Sequence, residues 1–113
     1  MKINAREIGD VKVIDIVGRI SYYTGSAKEF SDFMRAIAEQ SPKKVVINML
    51  EVENIDSTGL GDLQVAIEEI RGRGGRVMLS DLTTKIEKTF AVTVLTDRFE
   101  IRDTTEEAIT AFA

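Results

Sequence analysis

A chain that carries Lys44 to Gly61, KVVINMLEVENIDSTGLG, has few ways to fold. The apolar run Val45-Val46-Ile47-Asn48-Met49-Leu50 is short, rich in β-branched residues and flanked by charge. Such a run predicts a strand covered on both faces, in the middle of a sheet. Leu60, Leu63, Ala66, Ile67 and Ile70 then recur at helical spacing, so an amphipathic helix follows. Between the two lies Ile55-Asp56-Ser57-Thr58-Gly59. Asp, Ser and Thr at a helix start accept hydrogen bonds from its unpaired backbone N–H groups, so Asp56 or Ser57 can cap the helix. Gly59 and Gly61 are weak helix formers, and two in one first turn require a reason. Either they fit tightly against a neighbouring element, or another chain or ligand approaches a bare helix N-terminus.

The remaining elements fall into place on both sides. Residues 2 to 8 alternate in part, with Ile3, Ala5 and Ile8 apolar, which suits a half-exposed edge strand. Gly9-Asp10 signals a tight turn, and Val11 to Val17 returns as the second arm of a hairpin. Gly18 is expected to end that strand and Arg19 to Gly25 to form a loop, in which one ring of Tyr22-Tyr23 packs into the core, the alternative being an exposed contact patch. Ser26-Ala27-Lys28-Glu29 has the form of a capping box, opening a helix with Phe30, Phe33, Met34 and Ile37 inward, and it runs out near Gln40 ahead of Pro42. After the central helix, Gly74-Gly75 favours a C-cap and a sharp reversal. Arg76 to Ser80 reads as a buried strand, parallel to its predecessor through a right-handed crossover. Thr84-Lys85-Ile86-Glu87 is a second capping-box pattern, for a short helix with Ile86 and Phe90 inward. Phe99 to Arg102 alternates as an edge strand, and Thr104-Thr105-Glu106-Glu107 starts a last helix bearing Ala108, Ile109 and Phe112. Arg71, Arg73 and Arg76 read as solvated charge around a turn. The order is β-β-α-β-α-β-α-β-α: an α/β fold with a mixed sheet of four to five strands and about four packed helices.

Composition narrows the function. The 113 residues predict one domain spanning 1–113, with a core of useful size. There is neither cysteine nor histidine, which removes thiolate chemistry, the usual zinc ligands and the commonest general base. A formal charge of −4 argues against nucleic acid as a partner. No apolar stretch reaches transmembrane length, and the start lacks the apolar core of a signal peptide. These features suit a cytoplasmic module without a cofactor.

The loop Ile55-Asp56-Ser57-Thr58-Gly59-Leu60-Gly61 resembles the signature of the STAS domain of bacterial anti-sigma factor antagonists. The element order resembles that fold over nearly the whole chain, and Ile86 to Leu95 is similar to the family's short third helix and the loop after it. The resemblance implies a binding protein rather than an enzyme, with Ser57 as a phosphorylation site and Thr58 as a lesser candidate. It implies a partner surface of Asp56, Ser57, Thr58, Gly59, Leu60, Ser21 and Tyr22. The implied partners are an anti-sigma factor that is also a serine kinase of the histidine-kinase-like ATPase fold, and a metal-dependent serine phosphatase. The protein would be a monomer or weak dimer. Gly18-Arg19-Ile20-Ser21 departs from the family habit of Gly-Glu-Leu-Asp, with Arg19 and Ser21 where acidic residues usually stand. That departure keeps a second reading open: a STAS subunit of a lipid-exporting ABC transporter or another signalling complex, docked on an ATPase. A third reading, an enzyme with Asp56 as nucleophile, lacks the second nearby Asp of a magnesium phosphotransfer site. It also lacks the Lys-Ser/Thr that follows the glycines of a phosphate-binding loop.

Overall fold

The computed structural model describes residues 1–92 and 99–113. Within them the chain runs β1 (Lys2–Ile8), β2 (Val11–Ile20), α1 (Ser26–Glu39), β3 (Lys44–Ile55), α2 (Ser57–Gly72), β4 (Arg76–Ser80), α3 (Thr84–Ala91), β5 (Glu100–Arg102) and α4 (Thr105–Ala111). The sheet order follows the chain, β1-β2-β3-β4-β5. β1 and β2 are an antiparallel hairpin, while β2-β3, β3-β4 and β4-β5 are parallel. The expected mixed sheet and element order are present. The part of the Ile86 to Leu95 comparison beyond Val92 lies outside the described residues.

Apolar side chains fill both faces of the sheet. On one, α1, α2 and α3 bury Phe30, Met34, Leu63, Ile70, Ile86 and Phe90 against Ile14, Ile47 and Leu79. On the other, the short α4 covers Val11, Val13, Val46 and Met78 with Ala108. The edge strand β1 is more exposed than its alternation suggests, since only Ile3 reaches the core.

Two strands run further than the sequence pattern indicates. Gly18 does not end β2, which continues to Ile20, and β3 continues through Glu51 to Ile55. Paired residues step from Asp15–Asn48 to Val17–Glu51, then from Gly18–Val52 to Arg19–Asn54. Each step leaves one extra residue on β3, a β-bulge, which resets the side-chain alternation. Met49, Val52 and Ile55 therefore all enter the same core at a spacing of three. Leu50, read from sequence as part of a strand covered on both faces, is instead 55% exposed. The two bulges carry the end of β3 alongside Ile20, where the Ile20 carbonyl accepts the Asp56 N–H at 3.2 Å.

Two of the expected helix starts differ in detail. Ser26 caps nothing: Gly25, at φ 76°, precedes α1 without a side-chain cap. The buried Ser26 hydroxyl turns back to the loop, accepting the Ser21 N–H at 2.9 Å and lying 2.8 Å from Thr24 Oγ1. For α3 the cap is Thr83 rather than Thr84, its hydroxyl accepting from the Ile86 N–H. The α2 C-terminus does reverse at the glycine pair. Gly74 has φ 88°, and the N–H groups of Gly74 and Gly75 donate to Arg71 and Ile70 carbonyls. That pattern is the Schellman motif. Arg76 is more than solvated charge: its guanidinium grips Glu100 of β5 at 2.7 and 2.8 Å and lies 5.5 Å from the Phe112 ring centroid.

Candidate functional site

The turn from β3 into α2 sets the site. Asp56 has extended backbone, and its side chain accepts the Gly59 N–H at 2.9 Å, so it is the N-cap. The other carboxylate oxygen accepts the Tyr22 N–H, also at 2.9 Å, from the loop between β2 and α1. One carboxylate thus joins two segments 34 residues apart. Burial raises the carboxyl's pKa. Hydrogen bonds from the Gly59 and Tyr22 N–H groups, the Ser21 hydroxyl and the Thr58 N–H outweigh it and hold the group below the usual carboxylate range.

Gly59 has an internal reason. A Cβ there would stand 2.7 Å from the Ile20 carbonyl oxygen and 2.8 Å from Ile55 Cγ1. The missing side chain lets α2 seat its first turn on the ends of β2 and β3. Leu60, 2% exposed, is part of the core beneath. Gly61, by contrast, faces open space. Of the residues singled out from the sequence, Ser57 and Thr58 are exposed, Asp56 and Ser21 are half-buried, and Gly59 and Leu60 are buried.

Ser57 is the first residue of α2. Asp56 already takes the Gly59 N–H on its side chain, and the Asp56 carbonyl takes the Leu60 N–H. A phosphate on Ser57 would therefore meet a helix end whose amides are partly engaged. Its neighbour is a carboxylate held ionised. Asp62, one turn along, is pushed up, by burial first and then by the charge of Asp56.

Beside Ser57 the Tyr22-Tyr23 pair stands in solvent, 67% and 90% exposed, with the rings edge-on at 5.5 Å between centroids. Neither ring enters the core, contrary to the sequence expectation for one of them, because the Asp56–Tyr22 link holds the turn outward. Between this turn and the starts of α1 and α2 lies a groove of about 780 Å³, lined by Tyr22, Tyr23, Lys28, Arg35, Thr58 and Asp62. Asp62 carried no sequence signal of its own; the packing of α1 against α2 places it in this groove beside Thr58. Arg19, exposed, lies 3.7 Å from Glu53, so its charge is partly met by its neighbour on β3. Among the described residues no group of three acidic side chains is placed to hold a metal ion, and no helix is long and apolar enough to cross a membrane.

Comparison with known proteins bears on this arrangement. The family model described as the STAS domain matches residues 2–108. An anti-sigma-B factor antagonist of Listeria monocytogenes is 26% identical over 103 residues, covering 91% of this chain and 88% of that one. An anti-sigma factor antagonist from Mycobacterium paratuberculosis superimposes with a TM-score of 0.86 at 24% identity, covering 97% of this chain and 92% of that one. The Bacillus cell fate determinant SpoIIAA in its phosphorylated form superimposes with a TM-score of 0.72 at 18% identity, covering 99% and 100%.

Proposed function

This chain belongs to the STAS domain family, and on that premise we propose that it is an anti-sigma factor antagonist switched by phosphorylation of Ser57. The observation that carries the proposal is the placement of Ser57: an exposed hydroxyl on the first residue of α2, directly after its Asp56 cap. Residues 1–113 act as one STAS unit in the cytoplasm. The unit binds rather than catalyses, with Asp56 serving as a cap that accepts the Gly59 and Tyr22 N–H groups.

Unphosphorylated, the surface of Ser57, Thr58, Ser21 and Tyr22 around Asp56 docks on an anti-sigma factor and so frees a sigma factor. Gly59 and Leu60 act from beneath by fixing the backbone. The same partner, a serine kinase of the histidine-kinase-like ATPase fold, phosphorylates Ser57, and a metal-dependent serine phosphatase resets it. Thr58 is the lesser acceptor. The protein works as a monomer or weak dimer.

A phosphate adds about −1.5 to −2 of charge and three strong acceptor oxygens. Here it arrives beside an ionised carboxylate that already holds the Gly59 N–H. A partner closing over Ser57 would have to desolvate that charge, which costs several kcal/mol without a matching cation. Each ~1.4 kcal/mol is a factor of ten in affinity, so the modification is sufficient to release a micromolar complex.

The test is titration of the purified wild type, Ser57→Ala and Ser57→Asp proteins against purified ATPases of that fold from the same cells. Wild type and Ser57→Ala should bind, with Ser57→Asp weaker by tenfold or more. Equal binding by Ser57→Asp would end the phosphorylation switch, and equal binding of all three to an ABC ATPase would replace it with the transporter-subunit reading.

A further inference from the structure

The carboxylate of Asp56 does two jobs that a helix cap alone does not need. One oxygen closes the first turn of α2 through Gly59, and the other holds Tyr22 of a loop that belongs to a different part of the chain. The loop's other ties run within it and to the start of α1: the Tyr23 N–H donates to the Ser21 hydroxyl at 3.2 Å, the Gly25 N–H to the Tyr22 carbonyl at 3.1 Å, the Ala27 N–H to the Ser21 carbonyl at 3.0 Å, and Thr24 Oγ1 lies 2.8 Å from Ser26 Oγ. With the Ser21–Ser26 bond these moor the turn to α1, and the Asp56 carboxylate ties it to the start of α2. The turn presents both tyrosines to solvent, one of them 90% exposed, with their rings edge-on to each other beside the groove. Tyrosine is, with Trp and Arg, among the side chains enriched at the hot spots of protein interfaces.

We propose that Asp56 is a positioning residue that fastens the Tyr22-Tyr23 turn beside Ser57, so that the kinase acting on Ser57 recognises both segments as one surface, with Tyr23 as an anchor. The inference rests on the reading of Ser57 as a phosphorylation site and adds how that site is selected. Phosphoryl transfer itself is from ATP to the Ser57 hydroxyl, with ADP leaving and the hydroxyl proton passing to a base of the kinase. Asp56 acts by position, with one oxygen on the Gly59 N–H and the other on the Tyr22 N–H.

Two substitutions separate cap from fastener. Asp56→Ser retains a good N-cap side chain, but its short hydroxyl cannot also reach Tyr22. Asp56→Asn retains the length, but one of its two end atoms is an NH2 that cannot accept an N–H, so one link is lost whichever way the amide turns. The fastening is read in the free protein: in wild type the Tyr22 amide resonance should titrate with the Asp56 carboxylate, and in Asp56→Ser the Tyr22 amide should exchange faster with solvent.

Recognition is read from labelling rates, using an extract of the native cells with γ-labelled ATP and wild type, Asp56→Ser, Tyr23→Ala and the double variant as substrates. The prediction is that each single variant raises the apparent KM about tenfold with kcat little changed, and that the double variant is no worse than either. Unchanged KM in Asp56→Ser, or a hundredfold rise in the double variant, would overturn the proposal. Absence of label on wild type Ser57 would instead sink the phosphorylation reading and this inference with it, even if the amide data show the fastening.

Discussion

Two glycines in the first turn of α2 look alike in sequence and differ in what surrounds them, so they make a matched test of the packing. A Cβ on Gly61 would find nothing within 4 Å, whereas one on Gly59 would meet the Ile20 carbonyl at 2.7 Å and Ile55 at 2.8 Å. Replacing a helical glycine by alanine stabilises by about 0.5–1 kcal/mol through chain entropy. Gly61→Ala should show that gain undiminished. At Gly59 the same gain is set against crowding of a carbonyl that cannot rotate away, and overpacking of this kind costs about 1–3 kcal/mol. The net for Gly59→Ala is a loss of about 1–2 kcal/mol, so the two variants should differ by about 2 kcal/mol. At about 4 °C per kcal/mol for a domain of this size, that is a gap of about 8 °C in Tm. Urea denaturation followed by far-UV circular dichroism measures it directly, with the slope checked for constancy. If Gly59→Ala proved as stable as Gly61→Ala, the close seating of α2 on β2 and β3 would be wrong. The reason for Gly59 would then have to be sought in a partner.

Other perturbations test the strand register and the cap. Leu50→Ser should change stability by no more than about 0.5 kcal/mol, while Met49→Ala next to it should cost about 2–5 kcal/mol; similar costs at both sites would rule out the bulge that turns Leu50 outward. Asp56 has a folded-state pKa below its unfolded one, so its contribution is complete above about pH 4–5 and disappears as pH falls through the folded value. Asp56→Asn should therefore be less stable than wild type at pH 7, and the difference should shrink on acidification below about pH 4. A difference that stays constant from pH 7 to pH 3 would show that the carboxylate's charge is not what the Gly59 and Tyr22 N–H groups hold.

Much of this architecture is legible in the residues, because each helix has an apolar stripe, β2 and β3 have dense β-branched runs, and β4 has the short apolar run Val77-Met78-Leu79. What escaped has common physical causes. The length of β3 was hidden because its bulges replace alternation by a spacing of three at Met49, Val52 and Ile55. Ser26 fits a capping pattern, yet its buried hydroxyl is better used by the Ser21 N–H, a contact between residues that no local rule pairs. One ring of Tyr22-Tyr23 reads as core, but a carboxylate 34 residues away holds the Tyr22 N–H and both rings stand in solvent. For the site, Asp56 as a cap could be inferred from position alone. Its bridge to Tyr22 could not. Leu60 stands in the apolar stripe of α2, and its burial makes that residue of the recognised motif support rather than surface.

The most direct measurement is the intact mass of the protein purified from its native cells, across growth phases and with phosphatases inhibited, followed by fragmentation to locate any added group. The prediction is a single phosphate on Ser57 whose occupancy changes with growth state. A Ser57 that is unmodified under every condition would contradict the switch and leave a STAS domain that binds its partner by shape alone.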